Sequence, residues 1–349
     1  MIQDNAIKNS LIFISAVLMF YLLQLLAGIL LPLVLALLIA ILVQPFINYL
    51  LKKGLPKWLI LPTFSILSLA VLFGIGLIVS NTISQIVEEQ NFLLSRFLLK
   101  IDNLLIWINT TFNAKLDSTL LVSELYKYLG DSSIPETISG FASGIGSFMG
   151  SFLFFSLYYV MLLAGMANYE KYLNYVGGEK GDALLREYEN IKKSMFSYMW
   201  VKVVISLITG ILVFSFCTLY GIKFAMFWGF LAFILNFIPN IGSIIATIIP
   251  VLMGILQLES ITDITVFSIS LVSTQFIMGN IIEPIIMGNR MRINTLTVLF
   301  GLVFWGYIWG IPGMLLSVPL LVIMKIIFER SSEFSFFARL MGFPEKEKV

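Results

Sequence analysis

The chain has 349 residues, of which 59% are hydrophobic and only 12% charged. A soluble domain carries about 25% charged residues, so this composition cannot coat a water-facing surface and excludes a soluble enzyme or a disordered chain. A net charge of +2 offers no field for nucleic acid, and the absence of histidine removes imidazole catalysis, ligation and proton relay.

Continuous apolar runs of about 20 residues predict spanning helices, not the short alternating strands of a membrane β-barrel. The first run is 11–31. It follows a short, weakly charged N-terminus without a clear cleavage site, and is read as a retained span. Pro32 is expected to break it, with 33–51 returning. Lys52, Lys53 and Lys57 follow, with Gly54 and Pro56 marking a turn before a third span, 58–80. Residues 1–80 thus form an N-terminal group of transmembrane helices.

Residues 81–146 differ. Their apolar residues Ile86, Leu93, Phe97, Ile101, Leu104 and Ile108 recur at helical spacing among charges, the pattern of an amphipathic helix rather than a span. Asp117 or Ser118 is expected to cap a second helix carrying Leu121, Leu125 and Tyr128. A fourth span, 148–166, opens on Gly140, Gly144, Gly146 and Gly150, a spacing that suits close helix packing within one subunit or between copies. A polar helical stretch, 167–202, precedes a fifth span, 203–220, in which Cys217 reads as a buried thiol. A sixth span is 262–282.

Two stretches, 225–257 and 295–329, are apolar but interrupted near their middles, at Ile238-Pro239-Asn240-Ile241-Gly242 and Gly310-Ile311-Pro312-Gly313. Arms of about 13–17 residues make roughly 20–25 Å of helix, short of the roughly 30 Å hydrocarbon core. Both read as re-entrant helical hairpins, because broken backbone at that depth is tolerated only inside protein or facing a water-filled cavity. The fold class expected is therefore all-α and polytopic. It has about six spanning helices plus two re-entrant hairpins, with 147–330 as the transport core and 331–349 as a tail.

The positive-inside rule orients the chain. Lys52, Lys53 and Lys57, the basic residues of 167–202, Arg290 and Arg292, and the tail all fall inside if both termini are cytoplasmic. The 81–146 insert, with Glu259 and Asp263, then falls outside. The two hairpins would enter from opposite sides, an inverted-repeat pattern common in secondary transporters, with the site near the midplane.

The run Leu235-Asn236-Phe237-Ile238-Pro239-Asn240-Ile241-Gly242, ending at Ile249-Pro250, resembles the signature of the AI-2E family of transporters. So do Glu283-Pro284-Ile285-Ile286-Met287-Gly288 and Trp309-Gly310-Ile311-Pro312-Gly313-Met314-Leu315-Leu316-Ser317-Val318-Pro319-Leu320, with Leu31-Pro32 and Gln44-Pro45 near the start. The resemblance runs from about Leu11 to Phe328 and is weakest in the insert. It implies a multi-pass protein of the bacterial cytoplasmic membrane, assigned to export of the quorum-sensing signal autoinducer-2 or to sodium(lithium)/proton antiport. The chain departs from the family at Ile293-Asn294-Thr295, where a His-Pro step is common.

The candidate substrate- or ion-binding residues are Asn236, Pro239, Asn240 and Gly242 at the first tip and Pro312 and Gly313 at the second. Gln275, Asn280 and Glu283 join them from the span between. Amides beside freed carbonyls can hold a polar solute or an ion, or simply satisfy the backbone that Pro239 exposes. Gln275 and Asn280 are expected to face the bundle interior. Glu283 is a carboxylate placed to exchange a proton, or to pair with Arg290 or Arg292. Gly288, Gly310 and Gly313 read as backbone-geometry residues, and Trp305, Tyr307 and Trp309 as packing or interface anchors.

No G-x-x-x-x-G-K-[ST] motif is present, and neither a His-based triad nor a pair of intramembrane aspartates is available. The sequence reads as a secondary transporter, not an enzyme, needing no metal or cofactor. Its partners would be the lipid bilayer, a small polar solute or a monovalent cation with protons, and further copies of itself. An oligomeric passive pore is the other reading.

Overall fold

The computed structural model describes residues 2–113, 123–124, 127, 151–165, 174–178, 181–287, 293–330 and 334–342. Those residues contain helices and no strand. Among the described residues five helical stretches are long and apolar enough to cross a membrane, and one of them, residues 295–329, is broken at Gly310 and folds back. Leu153, Leu219 and Leu296 each leave about three quarters of their surface bare of protein (74%, 77% and 78%), an arrangement that suits lipid and is costly in water.

Helix α1 is Ile2–Leu25 and α2 is Ala27–Lys52. The break falls at Leu26, six residues ahead of the expected Pro32, which lies inside α2 with Pro45. A proline costs one backbone bond, and membrane helices tolerate it where neighbours re-satisfy the freed groups. Helix α3 is Lys57–Glu88, so it passes the expected end at Ser80 and carries the first part of the insert as a continuous rod. Helix α4, Gln90–Phe112, is the expected amphipathic helix, ended by Asn113 in the left-handed region (φ 52°). Of the second insert helix only residues 123–124 and 127 are described, and these are helical; the glycines 140–150 lie outside the described residues. Helix α5 is Ser151–Gly165.

Helix α6 is Gly181–Leu219, a single 39-residue rod. The polar stretch 167–202 and the fifth span are therefore not separate elements over 181–219. Helical propensity carries through the change in polarity, because nothing between Ser194 and Val203 is a breaker. Arg186 reaches Asp182 through the backbone carbonyl, Nε to O at 3.3 Å. Cys217 is fully buried.

Helices α7 (Ala225–Leu235) and α8 (Ile241–Gln257) form the first hairpin. The amide of Lys223, two residues before α7, donates to Gln257 Oε1 at 2.8 Å, so both feet meet. Helix α7 packs antiparallel on α6 through glycines. A Cβ on Gly210 would stand 2.7 Å from the Gly229 carbonyl oxygen, and one on Gly229 2.8 Å from that of Gly210.

Helix α9 runs Ile261–Met287 and contains a π-helical turn at Ile277–Ile282. Helix α10, Thr295–Arg330, folds back at Gly310 (φ 65°, ψ −147°). A Cβ on Gly301 would meet Leu321 Cδ1 at 2.5 Å, whereas 20 residues of straight helix would separate them by about 30 Å. The expected second hairpin is thus present. Its returning arm, 311–330, is longer than expected, although only 311–324 precedes its first charge, Lys325. Helix α9, about 40 Å long, separates the foot of the first hairpin from that of the second. The two hairpins therefore enter from opposite ends. Helix α11 is Ser335–Met341.

Two large apolar cores and two small ones form among the described residues. One large core joins Ala36, Ile41, Ile60, Phe155, Tyr159 and Met195 to Trp305 and Trp309 of the second hairpin. Trp309 Nε1 also donates to the Leu23 carbonyl at 2.9 Å, one of the acceptors that the end of α1 leaves open. These two tryptophans are core residues, while Tyr307 is 81% exposed. The other large core gathers Val213, Cys217, Trp228, Ala246, Phe267 and Leu302 around the first hairpin.

Candidate functional site

Both hairpin tips close by the same device. A Cβ on Gly242 would overlap the Leu235 carbonyl oxygen, and one on Gly313 the Trp305 carbonyl oxygen. In each case a glycine on the returning arm lets backbone approach backbone. Asn240, with φ 60° and ψ −57°, is the centre of a γ-turn in which the Ile241 amide donates to the Pro239 carbonyl at 2.7 Å. The two hairpins, without residue-level self-similarity, share this backbone contact.

The first tip carries polar groups inward. Asn236 is buried, and its Nδ2 donates to Ser206 Oγ at 3.0 Å. Ser206 lies 13 residues before the end of α6, so the tip reaches about 20 Å along that helix. Pro239 is half-buried and Asn240 is exposed.

One turn before Ser206 on α6, Lys202 Nζ donates to Glu283 Oε1 at 2.6 Å. The lysine side chain is 4% exposed and the carboxylate side chain 20%. Glu283 therefore pairs with Lys202. Arg290 and Arg292, its expected partners, lie outside the described residues, as does Gly288. Lys202 itself, counted in sequence among the basic residues of a cytoplasmic segment, is buried in the bundle. The missed signal is a polar stripe: Tyr198, Lys202, Ser206 and Thr209 recur every three or four residues on one face of α6, and all four are buried.

Gln275 is 7% exposed, as expected for an inward-facing amide. Its Nε2 and Oε1 have no hydrogen-bond partner among the described residues. Helix α9 runs antiparallel to α6, with Tyr220 on Phe267 at one end and Lys202 on Glu283 at the other. Gln275 consequently stands level with about residue 210 of α6. Asn280, expected to face inward, is exposed. The π turn just before Glu283 is of a kind that often marks functional positions. Pro312 is half-buried and Gly313 buried at the other tip, which leans on α1 and α2.

The structure thus brings Asn236 and Glu283 onto the polar stripe of α6, buries Gln275 at a similar level, and leaves Asn240 and Asn280 on the outside. A buried amide with open hydrogen-bonding capacity, a serine–asparagine pair and a buried ion pair can together hold a polar solute or a cation inside an apolar bundle.

Crossing helices, two opposed hairpins and a buried polar stripe between them define a multi-pass α-helical membrane transport protein. Comparison with known proteins gives the same class. The description "AI-2E family transporter" matches residues 11–333, and the chain belongs to that family. A Haemophilus influenzae protein named "Putative transport protein" is 30% identical over 348 residues, 97% of this chain and 98% of its own. The "AI-2 transport protein TqsA" of Escherichia coli K12 is 38% identical over 155 residues, 44% of each chain. The Bacillus subtilis protein YrrI, also named as a putative transport protein, is 27% identical over 322 residues.

Proposed function

We propose that this protein is a secondary transporter of the bacterial cytoplasmic membrane that exports a small polar solute, such as autoinducer-2, by alternating access. Both termini would be cytoplasmic and residues 81–146 outside, following the basic loops. The observation that carries the proposal is the buried polar stripe where the first hairpin tip meets α6 and α9: Asn236, Ser206, Thr209 and Gln275. Both polar atoms of the Gln275 amide are buried without a partner among the described residues, which costs about 1–3 kcal/mol and would be offset by a polar solute bound there. The name of the Escherichia coli relative, similar over less than half of the chain, supports the choice of solute.

The buried Lys202–Glu283 pair favours a second reading, exchange of a monovalent cation for protons. A cation entering at Glu283 would displace the lysine, and a proton would displace the cation. The test is flux into liposomes holding the purified protein, with autoinducer-2 and with sodium, each with and without a proton gradient. Saturable autoinducer-2 flux, with KM raised about tenfold or more by Gln275→Leu, supports the first reading. Sodium flux that needs the proton gradient and is abolished by Glu283→Gln supports the second. Unsaturable flux of both would overturn carrier action and leave a passive pore.

A further inference from the structure

The feet of the two hairpins are held in different ways. At the second, Asn294 does the holding. Its amide donates to the Met341 carbonyl at 2.9 Å, and its Nδ2 donates to the carbonyls of Leu340 at 2.6 Å and Gly342 at 2.9 Å. Its Oδ1 accepts from the Thr297 amide at 2.8 Å, capping α10. Ala338 and Met341 of α11 are buried against the chain beside it. This foot is an apolar, main-chain joint.

At the first foot, besides the Lys223–Gln257 bond that joins its two sides, the holding is ionic and comes from α4 and its N-cap residue Glu89. Lys223, on the entering side, pairs with Glu89 and lies 4.2 Å from the centre of the Phe92 ring. On the leaving side, Lys100 Nζ donates to the Leu258 carbonyl at 2.7 Å and Arg96 pairs with Glu259 at 3.2 Å. One amphipathic helix from the insert thus grips both ends of one hairpin. The pairs are open to solvent, with Glu259 81% exposed, so each contributes little by itself. Backbone beside the grip departs from helix at both ends. Gly221 and Phe224 have φ of 65° and 63°, and Leu258 is extended. Such element-terminal positions are where hinges absorb a change of φ and ψ.

We infer that the first hairpin is the moving gate of this protein, and that α4 is the latch that holds its feet shut. The latch gives the polar insert a mechanical role and does not depend on which solute is carried. Three weak, separable contacts suit a catch that must release on every cycle, where one strong buried joint would not.

The experiment measures the hairpin, not α4. Spin labels go on Ile244→Cys of α8 and Ile269→Cys of α9, both exposed, in a Cys217→Ala background of the full chain in liposomes. Electron double resonance should give mainly one distance. Arg96→Glu sets two carboxylates together and should raise the fraction at a second distance several-fold. Glu89→Ala, Arg96→Ala and Lys100→Ala together should raise it on the order of tenfold. Adding Glu259→Arg to Arg96→Glu restores the pair and should return the parent distribution, which also shows that the chain has not misfolded. An unchanged distribution in the triple variant would mean that α4 merely rests on the hairpin, and would overturn the inference. So would a reversed pair that fails to restore the parent pattern. Neither outcome touches the proposed transport, which flux measures separately.

Discussion

The Lys202–Glu283 pair makes the sharpest test of the buried stripe. Glu283→Gln leaves the lysine ammonium, 4% exposed, without a counter-charge. Breaking a buried pair costs about 3–5 kcal/mol, and the lower end applies because the carboxylate is 20% exposed. Lys202→Met strands the better-hydrated partner and should cost about 2 kcal/mol on the same grounds. Independent effects would add to roughly 5 kcal/mol. The double variant, however, removes both charges together and should lie within about 1–2 kcal/mol of the parent, since buried pairs are often replaceable by apolar groups at little net cost. Thermal midpoints of the purified proteins in detergent should therefore place the double variant above both single ones. A double variant that falls below either would refute the coupling and, with it, the view that these charges are buried against each other. Flux adds a second readout. If the pair couples transport to a gradient, the double variant should still equilibrate solute but lose accumulation against a gradient.

The hairpin tips give a contrast within one residue type. Gly242→Ala and Gly313→Ala force a Cβ onto a carbonyl oxygen and should each destabilise by about 1–3 kcal/mol or more. Gly279→Ala, with no atom within 4 Å, should be close to neutral, and equal midpoints for all three would refute the shared closing device. Asn294→Ala removes the cap of α10 and two carbonyl contacts to the end of α11. It should make residues beyond Arg330 several-fold more sensitive to limited proteolysis, while transport geometry at the first hairpin is unchanged.

Sequence by itself determined the membrane class, the family and the two hairpins. Composition decides what solvent a surface can meet, and a proline or glycine inside a run too short to cross twice decides where the backbone must turn. Both are local facts. The amphipathic character of α4 was legible for the same reason, being a matter of helical spacing, whereas the inward placing of Gln275 was expected only from its polarity in an apolar run, a ground that failed for Asn280. What α4 grips, and what Glu283 pairs with, were not. Glu283 and Lys202 stand 81 positions apart, and Glu89 and Lys223 stand 134 apart. No periodicity of 3.6 residues relates them. Only the antiparallel register of α9 on α6, set by Phe267 against Tyr220 and by the glycine contact of α6 with α7, brings the first pair together. A lysine's spacing shows which helix face it occupies. Whether that face meets water, lipid or a carboxylate is decided by the neighbouring helix, and that is a property of the packed bundle alone.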